Sequence, residues 1–343
     1  MISPERTAAI GSGATGSVRR RREVIGHGIS DDEIRRRCVG GQWLRLRRGA
    51  YAEGAAFAGL DTAARHRVLA EAMRPALSRD AIFSHQSAAA IYGVPVWGAL
   101  LRQVAITRDR RHGGRIRSQL KVHCAPVDAV AEVDGFTLTT PARTIVDLAR
   151  TVPFEAAVVA GDALARNYGV APDTLARELQ LARRRHGIAD ARRVVAFLDP
   201  HSESVGESRS RVMLRRLGMP IPRSQGEVHG RDGQLVGRVD FFFGRTGVVA
   251  EFDGPVAYGR VLRPGDHPAT TTIAEKMTTE KKRDALLRDN GLQVVRWTSG
   301  ELATDAVAPR LQAALARARA HRPDGYIRQA RLPEPKPLRL HRV

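Results

Sequence analysis

Between Val236 and Gly254 two β-rich runs flank the turn Gly244-Arg245-Thr246-Gly247, a spacing that predicts a β-hairpin. A symmetric closure pairs Phe243 with Val248, and so sets Asp240 opposite Glu251 and Arg238 opposite Asp253. By the period-2 rule Val239, Phe241, Phe243, Val248, Ala250 and Phe252 share the other face, which is wholly apolar and suited to a core. Two carboxylates facing each other across a ladder, with Cβ atoms about 5 Å apart, repel unless something positive lies between them. Two readings follow: a divalent metal bridges the acids, or they are solvated on the open face of an amphipathic hairpin. The flanking chain has to decide between them.

The formal net charge of +20 over 343 residues favours a polyanionic partner, most simply nucleic acid. A composition 43% hydrophobic and 27% charged is ordinary for a globular chain, and the length allows two or three domains. Cys38 and Cys124 are the only cysteines, which removes a disulfide framework and a structural zinc site. No run of roughly 18 apolar residues and no signal-peptide pattern occurs, so a cytoplasmic protein with no membrane partner is expected.

Residues 1–16, rich in Gly, Ser, Thr and Ala, read as a flexible lead. A short basic helix is expected over Arg19 to Gly28. Ser30-Asp31-Asp32-Glu33 then forms a capping box, with Glu33 reaching back, ahead of a helix Asp31 to Cys38. Gly40-Gly41 ends that helix, Gln42 to Leu46 alternates like a strand, Arg47-Arg48-Gly49 turns, and Ala50-Tyr51 returns. Helix, helix, β-wing is the order of a winged helix, here 17–56. It places Arg35, Arg36 and Arg37 on the second helix and Arg45, Arg47 and Arg48 on the wing as DNA-binding candidates.

Amphipathic helices are expected over Asp61 to Leu77, Ser84 to Gly93 and Thr140 to Arg150, with Ser84 as a cap and strands at Gln103 to Thr107 and Leu120 to His123. His85 and His123 stand apart in sequence and read as structural histidines. Helices continue to Leu198, and the polar breaker 199–205 is taken as the domain linker. A helix beginning near Glu207, a strand Ser224 to His229, the acidic hairpin, a long helix Glu275 to Asn290 and a strand Leu292 to Trp297 then give the order α-β-β-β-α-β over 206–320. The Pro- and Arg-containing stretch 321–343 reads as a disordered basic tail.

Two resemblances attach to these residues. Residues 20 to 198 are similar to the AbiEi family of type IV toxin–antitoxin antitoxins through Trp43-Leu44-Arg45-Leu46-Arg47-Arg48-Gly49-Ala50-Tyr51, Ser84-His85-Gln86-Ser87-Ala88-Ala89-Ala90 and Thr140-Pro141-Ala142-Arg143-Thr144-Ile145-Val146-Asp147-Leu148-Ala149. This resemblance implies a winged-helix DNA-binding head on an α/β body over 57–198, and a cognate toxin as a partner. The C-terminal domain resembles the DUF559 group, which is similar to very-short-patch-repair endonucleases of the PD-(D/E)XK fold. The matching residues are Gly206-Glu207-Ser208, Val239-Asp240-Phe241, Glu251-Phe252-Asp253-Gly254, Glu280-Lys281-Lys282-Arg283-Asp284 and Val294-Val295-Arg296-Trp297.

The second resemblance implies that Asp240 and Glu251 ligate Mg²⁺ or Mn²⁺, that Glu207 is a helix-borne acid near them, and that Asp253 stands where such nucleases carry a lysine. Lys281 on the following helix, or Lys282 or Lys276, then supplies the missing cation, Ala257 being no substitute. The expected fold is therefore an α+β multidomain chain, and the expected activity is metal-dependent cleavage of DNA phosphodiesters. The alternative is a non-enzymatic antitoxin or transcriptional repressor with a degenerate nuclease fold.

Overall fold

A computed structural model describes residues 18–97, 101–110, 112–254, 282–318 and 324–343. The chain is a mixed α/β protein with three sheets among the described residues, divided into two compact units. One runs through Leu148 and includes Pro337–Val343; the other is Ala149–Lys336. This division lies earlier in the chain than the polar segment 199–205. The helices Phe154–Tyr168, Pro172–Leu181 and Ile188–Val195 thus fall in the same unit as the acidic hairpin. Among the described residues, no helix is long and apolar enough to cross a membrane.

The first unit opens with a short strand Arg19–Arg20 and a helix Arg21–Gly26, a later start than the expected helix from Arg19. The helix Asp31–Val39 follows, and the strands Trp43–Arg47 and Ala50–Glu53 complete a three-stranded sheet with Arg19–Arg20. Ser30 caps the second helix, its hydroxyl accepting the Glu33 N–H at 3.2 Å. Glu33 does not reach back. Its carboxylate is taken by Arg36 and Arg37 one turn on, where two guanidiniums outcompete a single backbone N–H. Val24, Ile34, Trp43 and Tyr51 form the small core.

A seven-stranded sheet makes the body of this unit. Its edge strand is Arg339–Arg342, paired antiparallel with Ala129–Val133. The tail expected to be disordered thus carries two strands, Tyr326–Gln329 and Arg339–Arg342. The prolines that suggested disorder, Pro333, Pro335 and Pro337, fall between them, where no ladder donor is needed. His85 and His123, distant in sequence, stack with centroids 3.7 Å apart. The Ser84 hydroxyl receives the Thr107 hydroxyl at 2.8 Å and meets His85 Nδ1 at 2.9 Å, and it does not cap the helix His85–Ile91.

The second unit holds a five-stranded sheet in the order Gln293–Thr298, Val248–Asp253, Leu235–Phe242, Arg223–His229, Tyr326–Gln329. All neighbours are antiparallel except the first pair, which is parallel and sets Glu251 beside Arg296 and Phe252 beside Trp297. The hairpin closes in the expected register, with Phe241 opposite Ala250 and Phe242 opposite Val249. One sheet face packs Phe241, Phe243, Val248, Ala250, Val295 and Trp297 on the helices Val205–Arg216 and Val307–Ala318. The opposite face, expected to be open, is apolar too. Val228, Val239, Phe242 and Val249 meet Leu287 of the helical segment 282–289 there.

Candidate acidic centre

Glu207 lies in the first turn of the helix Val205–Arg216, whose Ser204 cap accepts the Glu207 N–H at 3.1 Å. The Glu207 carboxylate accepts the Ser204 hydroxyl at 2.9 Å, the Glu203 N–H at 2.9 Å and Gln225 Nε2 at 2.7 Å. Gly206 must be glycine: a Cβ there would stand 1.9 Å from a ring carbon of Phe252. This close approach brings the helix start onto the strand that carries Glu251.

Asp240 occupies an irregular point of its strand. Val239 belongs to one core face and Phe241 to the other, so the period-2 alternation slips between them, and the expected grouping of Val239 with Phe241 fails. The slip coincides with Gln225 on the neighbouring strand, which takes a left-handed φ of 58° where the Gln225–Asp240 pair is missing from the ladder. Asp240 accepts the Phe252 N–H at 2.9 Å, so hairpin backbone holds the carboxylate.

None of the three acids is solvated: Glu207 and Asp240 are each 3% exposed and Glu251 6%. The wet-face alternative for the hairpin therefore does not describe Asp240 and Glu251. The positive charge that facing carboxylates require is supplied at Glu251 by guanidiniums of the chain itself. Arg283 Nη2 lies 2.6 Å from its Oε1, and Arg296 donates to Oε2 from Nε at 3.0 Å and Nη2 at 2.8 Å. Arg296 is also fastened to Asp284. Burial pushes the Glu251 carboxyl up, against the opposing charges of Arg283 and Arg296.

Among the described residues Glu207 has no such partner. Burial, reinforced by the charge of Asp240, pushes its carboxyl from 4.5 up to about 7, against the hydrogen bonds from Glu203, Gln225 and Ser204. A raised carboxyl stabilises the fold fully below the unfolded value of 4.5 and loses that contribution as pH rises through the folded value near 7. Glu207→Gln, which imitates the protonated acid, is therefore expected to match the wild type at pH 4.5. At pH 8 in EDTA it should exceed the wild type by on the order of 3 kcal/mol. Denaturant midpoints measured at the two pH values check this.

The remaining candidates disperse. Asp253 is exposed at the strand end beside Thr298, outside the buried centre. Arg238, expected opposite Asp253, instead pairs with Glu203, which Arg166 also holds at 3.0 Å. Lys281 and the alternative Lys276 lie outside the described residues, and Lys282 is exposed on its helix. Of the wing and helix arginines, Arg36 and Arg37 pair with Glu33, and Arg37 also stacks over Trp43 at 5.0 Å. Arg47 donates to the Ala72 carbonyl at 3.2 Å. Arg35, Arg45 and Arg48 are exposed.

Among the described residues, no group of three His, Cys, Asp or Glu side chains is arranged to hold a metal ion. Asp240 and Glu207 fit one in chemistry, as buried acids whose mutual repulsion a cation relieves. Glu251 does not, since both its oxygens face guanidiniums. Sequence reasoning missed Arg296 and Gln225. Arg296 is revealed only by the parallel register, and Gln225 by a backbone conformation that no residue pattern announces.

No known family profile matches the chain. It is 32% identical over 134 residues, 39% of its length, to the uncharacterized proteins Rv2248 and MT2308 of two strains of Mycobacterium tuberculosis, covering 49% of each. The chain thus spans about half the length of the curated relatives it matches. Among solved structures, that of the RV2827C protein from Mycobacterium tuberculosis aligns with a TM-score of 0.34 and 14% identity, covering 53% of this chain and 77% of that one.

Proposed function

We propose that this chain is a DNA-binding protein whose second unit is a divalent-cation-dependent endonuclease-like module. The observation that carries the reading is the burial of Asp240 and Glu251 on adjoining strands with Glu207 on the helix packed against that sheet, in the order helix, three strands, helix, strand. The resemblances to AbiEi-like winged helices and to very-short-patch-repair-like nucleases point the same way, as does the net charge of +20. The exposed Arg35, Arg45 and Arg48 are the side chains available for phosphate contacts, whereas Arg36, Arg37 and Arg47 are committed within the fold.

In this reading Mg²⁺ or Mn²⁺ supplies a more acidic water and neutralises the scissile phosphate. Asp240 and Glu207 would hold the ion. Phe252 fixes the Asp240 carboxylate through its N–H, and Gln225 orients Glu207. Arg283 and Arg296 place positive charge against Glu251.

The arginine pair on Glu251 also favours a second reading, a non-enzymatic repressor or antitoxin with a cognate toxin, because one carboxylate of the expected metal pair is already neutralised. Plasmid and single-stranded DNA incubated with Mg²⁺ or Mn²⁺, with an EDTA control and Asp240→Ala beside the wild type, separates the two. Cleavage that EDTA and Asp240→Ala both abolish is the expected result; DNA retention without cleavage in any condition leaves the repressor reading. Replacing Arg35, Arg45 and Arg48 by Ala should weaken retention across sequences and lower the salt slope by about 1 per lost phosphate contact.

A further inference from the structure

We propose that the side-chain oxygen of Gln225 is a ligand of the acidic centre, and that Glu207, Asp240 and Gln225 Oε1 together bind a hard divalent cation with Glu251 outside the ligand set. The inference rests on the reading of this centre as a cation site and names its donors.

The position of Gln225 comes first. It lies on the strand Arg223–His229 between the pairs Ser224–Phe241 and Gly226–Val239, which sets its backbone opposite Asp240. Its Nε2 donates to Glu207 Oε2 at 2.7 Å, so one side chain touches one acid while its backbone faces the other. A glutamine at φ 58° is an uncommon conformation that persists where its surroundings impose it. Those surroundings are visible on both sides. Ser224 donates its hydroxyl to Asp199 at 2.7 Å, the Gln225 carbonyl accepts the Ala330 N–H at 2.8 Å, and Gln329 Nε2 donates to the Ser224 carbonyl at 3.1 Å. The strand Tyr326–Gln329 and the following Ala330 thus hold the residue from its far edge.

The polar accounting comes second. Gln225 is 1% exposed, and its Oε1 has no hydrogen-bond partner among the described residues. A buried amide oxygen left without a donor is costly, and such groups in folded proteins call for an explanation. Here the explanation lies beside it: the side chain touches Glu207 and the backbone faces Asp240, and carboxylate and amide oxygens are the donor types that Mg²⁺, Mn²⁺ or Ca²⁺ takes. At Glu251, whose Oε1 also lacks a hydrogen bond among the described residues, the neighbours are cations rather than acids. Arg283 covers one of its oxygens at 2.6 Å and Arg296 the other at 2.8 Å.

The test is a titration of the full chain with Mn²⁺, followed by the electron paramagnetic resonance of the free ion. Four variants are compared with the wild type, each verified as folded by its thermal transition. Gln225→Gly removes the oxygen and relieves the left-handed backbone, and Asp240→Asn removes a charge; each is expected to weaken Mn²⁺ binding by roughly 10–100-fold. Gln225→Glu restores an oxygen and should recover affinity, while Glu251→Gln should stay close to the wild type. Unchanged binding in Gln225→Gly, a loss in Glu251→Gln as large as in Asp240→Asn, or no binding by the wild type would each overturn the proposal. DNA cleavage is assayed in parallel: a protein that binds Mn²⁺ through these donors yet cleaves nothing upholds the site and sinks only the endonuclease reading.

Discussion

Replacing Arg211 by Ala is expected to lower stability by about 3–5 kcal/mol, because it strips the partner from buried carboxylates. Arg211 is itself buried. It meets Asp162 at 3.1 Å and Asp199 at 3.8 Å, donates to the Phe197 carbonyl at 2.5 Å and lies over the Phe197 ring. Asp162, on the helix Phe154–Tyr168, also accepts the Ser208 hydroxyl at 2.8 Å and the Asp199 N–H at 2.8 Å. Burial already pushes the Asp162 carboxyl up to about 7 with Arg211 in place, and removing the guanidinium raises it further. Loss of stability should accordingly be larger at pH 8 than at pH 5, where the acid takes up a proton. Urea unfolding of Arg211→Ala at both pH values checks the size and the sign. A double replacement, Arg211→Met with Asp162→Leu, should recover much of the loss, since it removes both charges at once. The network also reaches the acidic centre, because Asp199 holds Ser224 next to Gln225.

Trp297→Ala is expected to cost about 3–5 kcal/mol by emptying the middle of the second unit's core. Trp297 is 1% exposed and stacks on Phe241 with centroids 5.5 Å apart. Its indole N–H donates to the Ser210 hydroxyl at 2.7 Å, tying the parallel strand to the Glu207 helix. Trp297→Phe, which keeps most of the ring volume and loses the donor, should fall well short of the alanine cost. If the two variants unfold at the same denaturant midpoint, the hydrogen bond rather than the packed volume dominates. Because Phe252 lies beside Trp297 in the ladder and presents its N–H to Asp240, Trp297→Ala should also loosen the acidic centre.

Much of the second unit was legible in residue order. The turn Gly244 to Gly247 and the alternation around it give the hairpin register, and the helix expected near Glu207 is present from Val205. In the first unit the Ser30 cap, the Gly40 stop and the alternating Trp43 to Leu46 run lead to the observed helix Asp31–Val39 and strand Trp43–Arg47. Three kinds of feature were not legible. Competition between partners was one: Glu33 had both a backbone N–H and two arginines within reach, and only their placement shows which prevails. Edge pairing was another, since the strands Tyr326–Gln329 and Arg339–Arg342 are fixed by sheet edges formed far earlier in the chain. The contact of His85 with His123 was the third, a long-range meeting without a local signal.

The sequence by itself determined that Asp240 and Glu251 lie on adjoining strands in a fixed register and that Glu207 begins a helix, because turn chemistry, alternation and capping act within a few residues. Only the tertiary structure decided what neutralises them. Arg296 reaches Glu251 through a parallel pairing, Arg283 through a helix laid across the sheet face, and Gln225 reaches Glu207 through a backbone conformation held by the strand Tyr326–Gln329 and Ala330. The charge balance of a buried site depends on groups distant in sequence, and burial is what turns the spacing of those groups into chemistry.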